Sequence, residues 1–346
     1  MIFLYSKELS SPGIRVILDN LCRCLQKKGE KCDSITSLSQ ITSSDLIIPY
    51  GPKESYEIMK LGCPTALSLL VDYYSLGCRN KIMFYLKHGK IFYKDFLYSI
   101  YGYLKYHPIE MKVSRAYKHV ALVSQNDINQ LKKDVHISNC VLIRNGVNHD
   151  RNIALKSKDL DKIVLGIISH WQFVSIDETR WFIEDIMPKI TKVYPNVILR
   201  IAGRGDSDKA RKVFSRYPNV DFVGPVDSLD DFFNNLDIYV ATVPKGCGIL
   251  NKVLDAFSYK IFTIGVKESF SGIDGLENGY VECNNASDYI KAIDLYLNDK
   301  ANVCQIVDNA YNHILRYHNF DSNYDEIVDL IIKLNKDHLV NSSTPC

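Results

Sequence analysis

The feature that constrains this chain most is a run of alternating secondary-structure signals in its second half. Residues 238–243 are apolar and largely β-branched, a composition that predicts a buried strand. A proline and two glycines, Gly246 and Gly248, then predict a tight turn, and apolar residues recur at helical spacing from 249 to 257. Residues 261–264 form a second short apolar run. Together these signals predict a strand, a glycine turn, a helix and a strand, which make one βαβ unit.

The turn and the helix start of this unit predict a binding site for an anion. Glycines let a phosphate approach the main chain closely, and the first N–H groups of a helix have no partner within it. Lys252 lies in the first helical turn, where a cation is unfavourable for the helix dipole unless it faces an anionic ligand. Asp255 follows on the same helix face, where its carboxylate would accept hydrogen bonds from sugar hydroxyls. The alternative is an ordinary βαβ turn with no ligand.

Residues 246–256, 260–264 and 272–276 resemble the donor-site block of the retaining glycosyltransferases of family 4, the glycosyl transferases group 1, of the type used in bacterial surface-polysaccharide assembly. The resemblance implies an α/β fold of GT-B architecture, in which two Rossmann-like domains with doubly wound parallel sheets face each other across a cleft. In that family the lysine holds the diphosphate of a nucleotide sugar, and an acidic residue three positions later, usually glutamate, binds the ribose. Lys252 and Asp255 are therefore the implied catalytic residues.

The same resemblance implies further donor-binding residues. Gly13, in a predicted turn at residues 10–13, matches a glycine that approaches the donor phosphates; a loop glycine without a ligand is the alternative. His170 lies in the loop where relatives usually have a basic residue, and a packed or capping histidine is the alternative. Arg204 lies near the expected nucleotide, and Val223 belongs to the segment whose main chain borders the base. The glycine turn completes the set with Gly246, Cys247, Gly248 and Ile249, Cys247 occupying the place of the family's other common glutamate.

Asp72 is the predicted residue on the acceptor side. It follows a predicted strand at residues 65–71, at the end where open α/β sheets bind ligands. The resembling family often carries a polar residue at that position near the acceptor. A turn or cap role for Asp72 is the alternative.

Residues 79–118 differ in character from the rest of the chain. They contain nine lysines and arginines against two acids, Asp95 and Glu110, with ten phenylalanines and tyrosines interleaved. Basic and aromatic helices of this kind lie on anionic bilayer surfaces, with their rings at headgroup depth. We therefore predict contact with an anionic membrane surface through this segment. An anionic polymer as partner, and rings that belong to the core, are the alternatives.

Composition places the chain among ordinary globular proteins. Its 346 residues are 46% hydrophobic and 24% charged, and the net charge of +2 does not indicate a nucleic-acid partner. Ten scattered cysteines without a Cys-x-x-Cys pair favour reduced thiols over a disulfide framework. Residues 1–5 suggest a strand rather than a signal peptide, and no apolar run approaches the 18 residues of a transmembrane helix. We therefore expect a cytoplasmic protein, with peripheral contact at the inner face of the membrane.

The domain organisation follows from the order of these signals. A polar, charged stretch with little periodicity indicates a linker, and GT-B chains commonly return their last helix to the first domain. The second domain opens with a predicted strand and a helix at residues 176–193. The predicted units are an acceptor-binding domain (1–150), a linker (151–162), a nucleotide-sugar domain (163–318), a returning helix (319–340) and a tail (341–346).

The predicted function is transfer of a sugar from a nucleotide-diphosphate sugar to a hydroxyl of a glycan or lipid-linked oligosaccharide acceptor, without a cofactor or metal. The resemblance to family 4 implies that the transfer is retaining. Two Asp-x-Asp pairs, at 159–161 and 206–208, are possible metal ligands but are typical of solvated loops. The sequence lacks the Gly-x-Ser-x-Gly motif of a serine hydrolase, and it lacks the Gly-x-Gly-x-x-Gly motif of a dinucleotide oxidoreductase after its first strand. A sugar-nucleotide epimerase of the same fold and a non-catalytic partner in a glycan-assembly complex are the alternatives.

Overall fold

A computed structural model describes residues 1–9, 12–39, 41–63, 65–151, 153, 162–242 and 246–342 of the chain. Strands and helices alternate through most of these ranges. The strands are β1 (Ile2–Tyr5), β2 (Cys32–Ile35), β3 (Leu46–Pro49), β4 (Leu67–Val71), β5 (His119–Leu122), β6 (Cys140–Leu142), β7 (Ile163–Ile168), β8 (Val197–Ala202), β9 (Val220–Gly224), β10 (Ile238–Ala241), β11 (Phe262–Gly265) and β12 (Val281–Glu282).

The helices occupy the connections between these strands and the end of the chain. They are α1 (Pro12–Lys27), α2 (Pro52–Lys60), α3 (Tyr74–Lys87), α4 (Lys94–Ala116), α5 (Gln125–Val135), α6 (Phe173–Trp181), α7 (Met187–Val193), α8 (Ser207–Phe214), α9 (Leu229–Phe233), α10 (Asn251–Ser258), α11 (Ala286–Asn298), α12 (Lys300–Tyr317), α13 (Phe320–Asn323) and α14 (Asp325–Ser342). We call residues 1–150 the N-terminal lobe and residues 163–318 the C-terminal lobe.

The N-terminal lobe contains two three-stranded sheets that meet edge to edge. Their orders are β2-β1-β3 and β4-β5-β6, and their strand pairs are parallel. A bridge between Tyr50 and Leu69 joins the edge of the first sheet to that of the second. The six strands therefore follow the order β2-β1-β3-β4-β5-β6, with helices in the crossovers.

The C-terminal lobe is built on one six-stranded parallel sheet. Its order is β12-β11-β10-β7-β8-β9, so β7 lies in the middle and β10 pairs directly with it. Every residue of β4, β10 and β11 is buried, because helices cover both faces of these parallel strands. The carboxyl ends of β7, β8, β9 and β10 consequently form one edge of the sheet, where the loops that follow these strands meet.

The predicted helix at residues 176–193 begins earlier and is not uniform. It starts at Phe173, because Gln172 and Ser175 form a capping box in which the Gln172 N–H donates to the Ser175 hydroxyl at 2.8 Å. A π-helical turn at Phe182–Ile186 separates α6 from α7. The predicted turn at residues 10–13 also differs from the structure, because α1 begins at Pro12, which is favoured in a first helical turn.

The C-terminal helices connect the two lobes. His318, which follows α12, accepts a hydrogen bond from the Val147 N–H with its carbonyl oxygen at 2.9 Å. Helix α14 packs against α1, and the Lys28 ammonium lies 2.8 Å from the Asp329 carboxylate. The predicted domain limits stay predictions, since most of the linker lies outside the described residues. None of the helices in the described ranges combines the length and the apolarity that crossing a membrane requires.

Candidate active site

The predicted glycine turn joins β10 to α10. Gly246 and Gly248 have φ angles of +61° and +55°, in the left-handed region that favours glycine. A Cβ atom on Gly246 would lie 2.6 Å from Cβ of Asn80, and one on Gly272 would lie 1.6 Å from the carbonyl oxygen of Gly248. Neighbouring segments therefore pack on this turn too closely for a side chain. Residues 243–245, where the predicted strand ends, lie outside the described part of the chain.

Lys252 lies in the first turn of α10, as its spacing predicts. Its ammonium donates a hydrogen bond to the hydroxyl of Ser169 at 2.9 Å. Ser169 directly follows β7, the neighbour of β10 in the sheet. The lysine therefore crosses from the start of α10 to the carboxyl edge of the sheet, and its side chain is partly exposed there. This is the position from which a cation can meet an anion at a helix N-terminus.

His170 and Arg204 lie in two loops that pair at the same edge. The Trp171 N–H donates to the carbonyl oxygen of Arg204 at 2.6 Å, so the loop after β7 is bound to the loop after β8. Gly203 has a φ of +140°, and a Cβ there would lie 1.6 Å from the Ser169 carbonyl oxygen. Both loops are held closely together, and His170 and Arg204 are exposed.

Val223 lies one strand further along this edge. It belongs to β9, and its side chain is 38% exposed. The Gly203 N–H donates to the carbonyl oxygen of Gly224 at 2.8 Å, which fixes the end of β9 beside the loop after β8. The structure thus places Val223 next to the loop that carries Arg204, while α10 lies on the other side of β7.

Asp255 lies one helical turn beyond Lys252, and a residue of the linker contacts it. The Arg151 guanidinium donates to the Asp255 carboxylate and to the Ser258 hydroxyl at 3.1 Å, and it lies 4.8 Å from the centre of the Tyr259 ring. Burial raises the pKa of Asp255 to about 6, and the guanidinium charge limits this rise. The sequence analysis did not single out Arg151.

The N-terminal lobe binds the main chain of the glycine turn. The Asp127 carboxylate accepts hydrogen bonds from the N–H of Gly248 at 2.9 Å and from that of Tyr73 at 2.8 Å. The Asn80 side-chain amide donates to the carbonyl oxygen of Gly246 at 2.6 Å. The Gly248 amide, which the sequence analysis assigned to the donor, therefore contacts a protein carboxylate in this structure.

The side chains of Cys247 and Ile249 are packed rather than open to the cleft. Each is 4% exposed, and Cys247 lies in an apolar cluster with residues of the N-terminal lobe, including Leu70 and Tyr73. A small apolar side chain such as cysteine suits this cluster better than a carboxylate would. Only the main chain of these two residues can therefore face a ligand in the structure.

A cavity of about 350 Å³ opens in the N-terminal lobe at the ends of β1, β3 and β4. Asp72 lines it, beside Val71, whose φ of +69° is a strained value for a β-branched residue. Tyrosines and charged side chains make up much of the wall. The lining includes Ser6, Glu8, Ile14, Tyr50, Lys53, Glu54, Val71, Asp72, Tyr74, Tyr98 and Tyr106.

Gly13 lies at the border of this cavity. It is exposed in the first turn of α1, its neighbour Ile14 lines the cavity, and a Cβ on Gly13 would have no atom within 4 Å. Packing therefore does not require glycine at this position, unlike at Gly203 or Gly246. Ser10 and Ser11, the first residues of the predicted turn, lie outside the described residues.

The Asp-x-Asp pairs have different outcomes. Asp206 caps α8, because its carboxylate accepts a hydrogen bond from the Lys209 N–H at 3.2 Å. Asp208 is exposed in the first turn of α8, so this pair is solvated, as predicted, but it lies at a helix start rather than in a loop. The other pair, at residues 159–161, lies outside the described residues.

A comparison with protein-family models matches residues 162–299 to the model described as glycosyl transferases group 1. This segment is a glycosyl transferases group 1 domain. It contains the edge that carries Lys252, His170 and Arg204. The transferase class EC 2.4, predicted from the sequence, is thereby confirmed for this glycosyltransferase domain. A search of curated proteins finds no match for the chain.

Solved structures share the fold over nearly the whole chain. Sucrose-phosphate synthase from Thermosynechococcus elongatus aligns with a TM-score of 0.72 at 16% identity, over 97% of this chain and 99% of that one. HepE from Anabaena, in complex with UDP and glucose, aligns with a TM-score of 0.61 at 12% identity, over 96% and 99%. TarM from S. aureus, in complex with Fondaparinux, alpha-GlcNAc-glycerol and UDP, gives 0.60 at 15% identity, over 90% of this chain.

These similarities show the fold of this chain. The solved structures are GT-B glycosyltransferases, so the predicted α/β class with GT-B architecture is confirmed. The chain spans 58% of the length of the TarM chains that it matches.

Sequence reasoning missed three residues that contact the predicted site. They are Ser169, Arg151 and Asp127, and each lies outside the donor-site block. A local signal exists only for Asp127, since Ser124 caps α5 by accepting a hydrogen bond from the Asp127 N–H at 3.3 Å. That signal predicts a helix start but not the contact with Gly248.

Proposed function

We propose that this glycosyltransferase moves a sugar from a nucleotide-diphosphate sugar to a hydroxyl of a glycan or lipid-linked oligosaccharide, with retention and without a metal ion. The observation that carries the proposal is the position of Lys252. Its ammonium lies at the carboxyl edge of the sheet, on Ser169, while His170 and Arg204 are exposed in the loops of the same edge. Three basic side chains and a helix N-terminus thus lie at one edge of the sheet, where they would bind a diphosphate.

The chemistry requires stabilisation of the departing diphosphate. Negative charge accumulates on that group as its bond to the anomeric carbon breaks, and the acceptor oxygen forms the new bond. Lys252 and the N-terminus of α10 would stabilise this charge, so the proposal does not depend on a metal ion. Removing one donor of this kind typically costs about 10²–10³ in rate.

Asp255 would bind the ribose of the donor. Its ionised carboxylate can accept hydrogen bonds from two hydroxyls, and Arg151 favours the ionised form. The solved structures of HepE contain UDP or UDP-glucose. These ligands support a uridine-diphosphate sugar as the first donor to test.

The cavity beside Asp72 would bind the acceptor. Tyr50, Tyr74, Tyr98 and Tyr106 offer ring faces and hydroxyls, and Asp72 adds a carboxylate, which together suit the apolar faces and hydroxyls of a sugar. Strain at Val71, next to Asp72, is typical of functional sites. An acceptor of this class would place the protein in surface-polysaccharide assembly, such as lipopolysaccharide or capsule, at the inner face of a membrane.

The proposal is tested by isothermal titration of UDP into Lys252→Ala. We expect its affinity to fall by about two orders of magnitude, because the diphosphate loses its main cation. Lys260→Ala is the matched control, since Lys260 is exposed just beyond the other end of α10 and lies 4.4 Å from the centre of the Tyr311 ring. Unchanged UDP affinity in Lys252→Ala, with wild-type thermal stability, would remove the proposed site.

A non-catalytic partner in a glycan-assembly complex is the second candidate function. The contact of the Gly248 amide with Asp127 and the buried Cys247 in place of a glutamate favour it. Hydrolysis of UDP-glucose and related donors distinguishes the two candidates. A transferase releases UDP from one of the donors in the absence of acceptor, whereas a non-catalytic partner releases none.

A further inference from the structure

Helix α4 has its polar and apolar faces reversed relative to a helix that packs on a core. The residues that it buries include Asp95, Ser99, Gly102 and Glu110. Its exposed face instead carries apolar side chains at the spacing i, i+4, i+7: Leu97, Tyr101 and Leu104, which are 61%, 55% and 69% exposed. A helix that presents apolar side chains to the outside over two turns indicates a partner for that face.

The end of α3 and the loop to α4 extend this apolar face. We call the set the α3–α4 patch, and eight large apolar side chains within 22 consecutive residues form it. Phe92, in the loop, is 91% exposed and has the highest exposure among them. The members are Met83, Leu86, Ile91, Phe92, Leu97, Tyr98, Tyr101 and Leu104.

The exposed charges within residues 79–118 have one sign. Lys87, Lys94 and Lys105 are exposed beside the patch. Asp95 and Glu110, the two acids of residues 79–118, are 1% and 0% exposed. The surface of this segment thus presents cations between apolar and aromatic side chains. That combination is complementary to an anionic bilayer, where rings lie at headgroup depth and lysines meet lipid phosphates.

We propose that the α3–α4 patch docks this protein on an anionic lipid bilayer and places the mouth of the acceptor cavity at the membrane surface. The patch and the cavity share Tyr98, which is exposed in the patch and also lines the cavity. Tyr106 of the same helix lines the cavity as well. A lipid-linked acceptor would keep its lipid in the bilayer while its sugar enters the cavity. The cavity's role as acceptor site rests on the proposed function; bilayer docking by the patch does not.

A second copy of the chain fits this surface less well than a bilayer. In a two-fold symmetric dimer the same patch meets itself, so Lys87, Lys94 and Lys105 of one copy would face a surface that carries the same three lysines. Like charges brought together in a partly dry interface repel each other strongly. An anionic bilayer instead supplies negative charge opposite every lysine.

The test is co-sedimentation of the full chain with vesicles. We expect binding to vesicles of phosphatidylcholine mixed with phosphatidylglycerol, weaker binding to phosphatidylcholine alone, and weakening by salt. Leu97→Glu/Leu104→Glu reduces the partition coefficient by about tenfold or more, since it buries charge in the interface. Phe92→Ser, a change at a loop position, reduces it without risk to a helix. Leu297→Glu/Leu315→Glu, at exposed positions of α11 and α12, is the matched control and binds like wild type.

Several outcomes would overturn the inference. Absence of vesicle binding by wild type, or equal binding by the patch variants and wild type, contradicts it. A dimer in sedimentation velocity that Leu97→Glu/Leu104→Glu dissociates assigns the patch to a second copy instead. UDP titration of the same proteins distinguishes the two proposals. Patch variants that lose vesicle binding but retain UDP affinity support the docking surface. Wild-type protein that binds vesicles but not UDP contradicts only the proposed function.

Discussion

Lys252 carries the clearest chemical signal at the scale of single residues, because its charge opposes the dipole of the helix in which it lies. The structure supplies the partner, Ser169, 83 positions earlier in the chain. Asp255 has a different environment from the one that the sequence analysis described. Its carboxylate faces Arg151 of the linker, so a bound ribose would share it with a guanidinium.

We expect the affinity for UDP to depend on pH through Asp255. Its pKa is raised to about 6, so the carboxylate is ionised above that pH and protonated below it. An ionised acceptor binds ribose hydroxyls more strongly than a carboxylic acid does. Affinity should therefore fall, by about tenfold, as the pH falls through 6 in calorimetric titrations.

Asp255→Asn is the control for this prediction. It keeps the titration of the nucleotide phosphates and removes that of residue 255, so its profile should be flatter than that of wild type. Arg151→Gln should move the midpoint to higher pH, because the guanidinium lowers the pKa of Asp255. Identical pH profiles for wild type and Asp255→Asn would contradict the role of this carboxylate.

At the scale of elements, the end of α12 fixes the segment that leads out of the N-terminal lobe. His318 is 1% exposed, and its Nδ1 lies 2.8 Å from the carbonyl oxygen of Asn145. The Asn145 side chain donates to that of Asn251 at 2.9 Å. The first residue of α10 is therefore bound to a segment that α12 holds in place.

We expect His318 to make the protein less stable at acid pH. Burial lowers its pKa to about 4, whereas the unfolded chain protonates it near 6.5. The stabilising contribution is therefore complete above pH 6.5 and is lost as the pH falls towards 4. As the pH is lowered from 7 to 5, protonation linked to His318 should reduce the free energy of unfolding by about 2 kcal/mol.

Urea unfolding of His318→Gln measures this contribution. Between pH 7 and pH 5 the free energy of unfolding of the variant should fall by about 2 kcal/mol less than that of wild type, because glutamine does not titrate. His136→Gln, at an exposed position after α5, is the matched control and should behave like wild type. An equal loss in His318→Gln and wild type would contradict the prediction.

The elements that the sequence predicted are those with strong local patterns. Strands β1, β4, β10 and β11 and helix α10 lie close to their predicted positions, because buried parallel strands are continuously apolar and helix faces repeat. Helices α2 and α8 and strands β2 and β12 have no such pattern and were not predicted. Helix α2 buries one apolar side chain, Ile58, and α8 buries Ala210 and Phe214, which is too few for an apolar helix face to be distinct. Strand β2 contains Asp33 and Ser34, β12 has two residues, and both strands lie at sheet edges, where pairing on one side suffices.

At the scale of the molecule, a buried ion cluster joins the lobes. Lys81 of α3 contacts Glu178 of α6, and its ammonium lies 3.4 Å from the Asp95 carboxylate of α4. Lys81 is the one cation in contact with both carboxylates, which are 1–6% exposed, among the residues that the structure describes. The cluster holds α3 and α4, which carry the α3–α4 patch, against the domain that carries Lys252.

We expect Lys81→Met to destabilise the protein by about 3–5 kcal/mol, because it leaves two buried carboxylates without their cation. Urea unfolding measures this loss. Lys87→Met, at an exposed position of the same helix, is the matched control and should change the free energy of unfolding by less than about 0.5 kcal/mol. Equal stabilities of the two variants would show that the cluster does not hold the lobes together.

The sequence by itself determined the α/β class, the glycine turn and the position of Lys252 at a helix start, because each depends on neighbours within a few residues. Apolar runs, backbone angles open only to glycine and helical spacing are local properties. Tertiary structure alone decided the partners: Ser169 for Lys252, Arg151 for Asp255 and Asp127 for Gly248, over 83, 104 and 121 positions. No local pattern encodes which distant polar groups meet, since the packing of the two lobes brings them together.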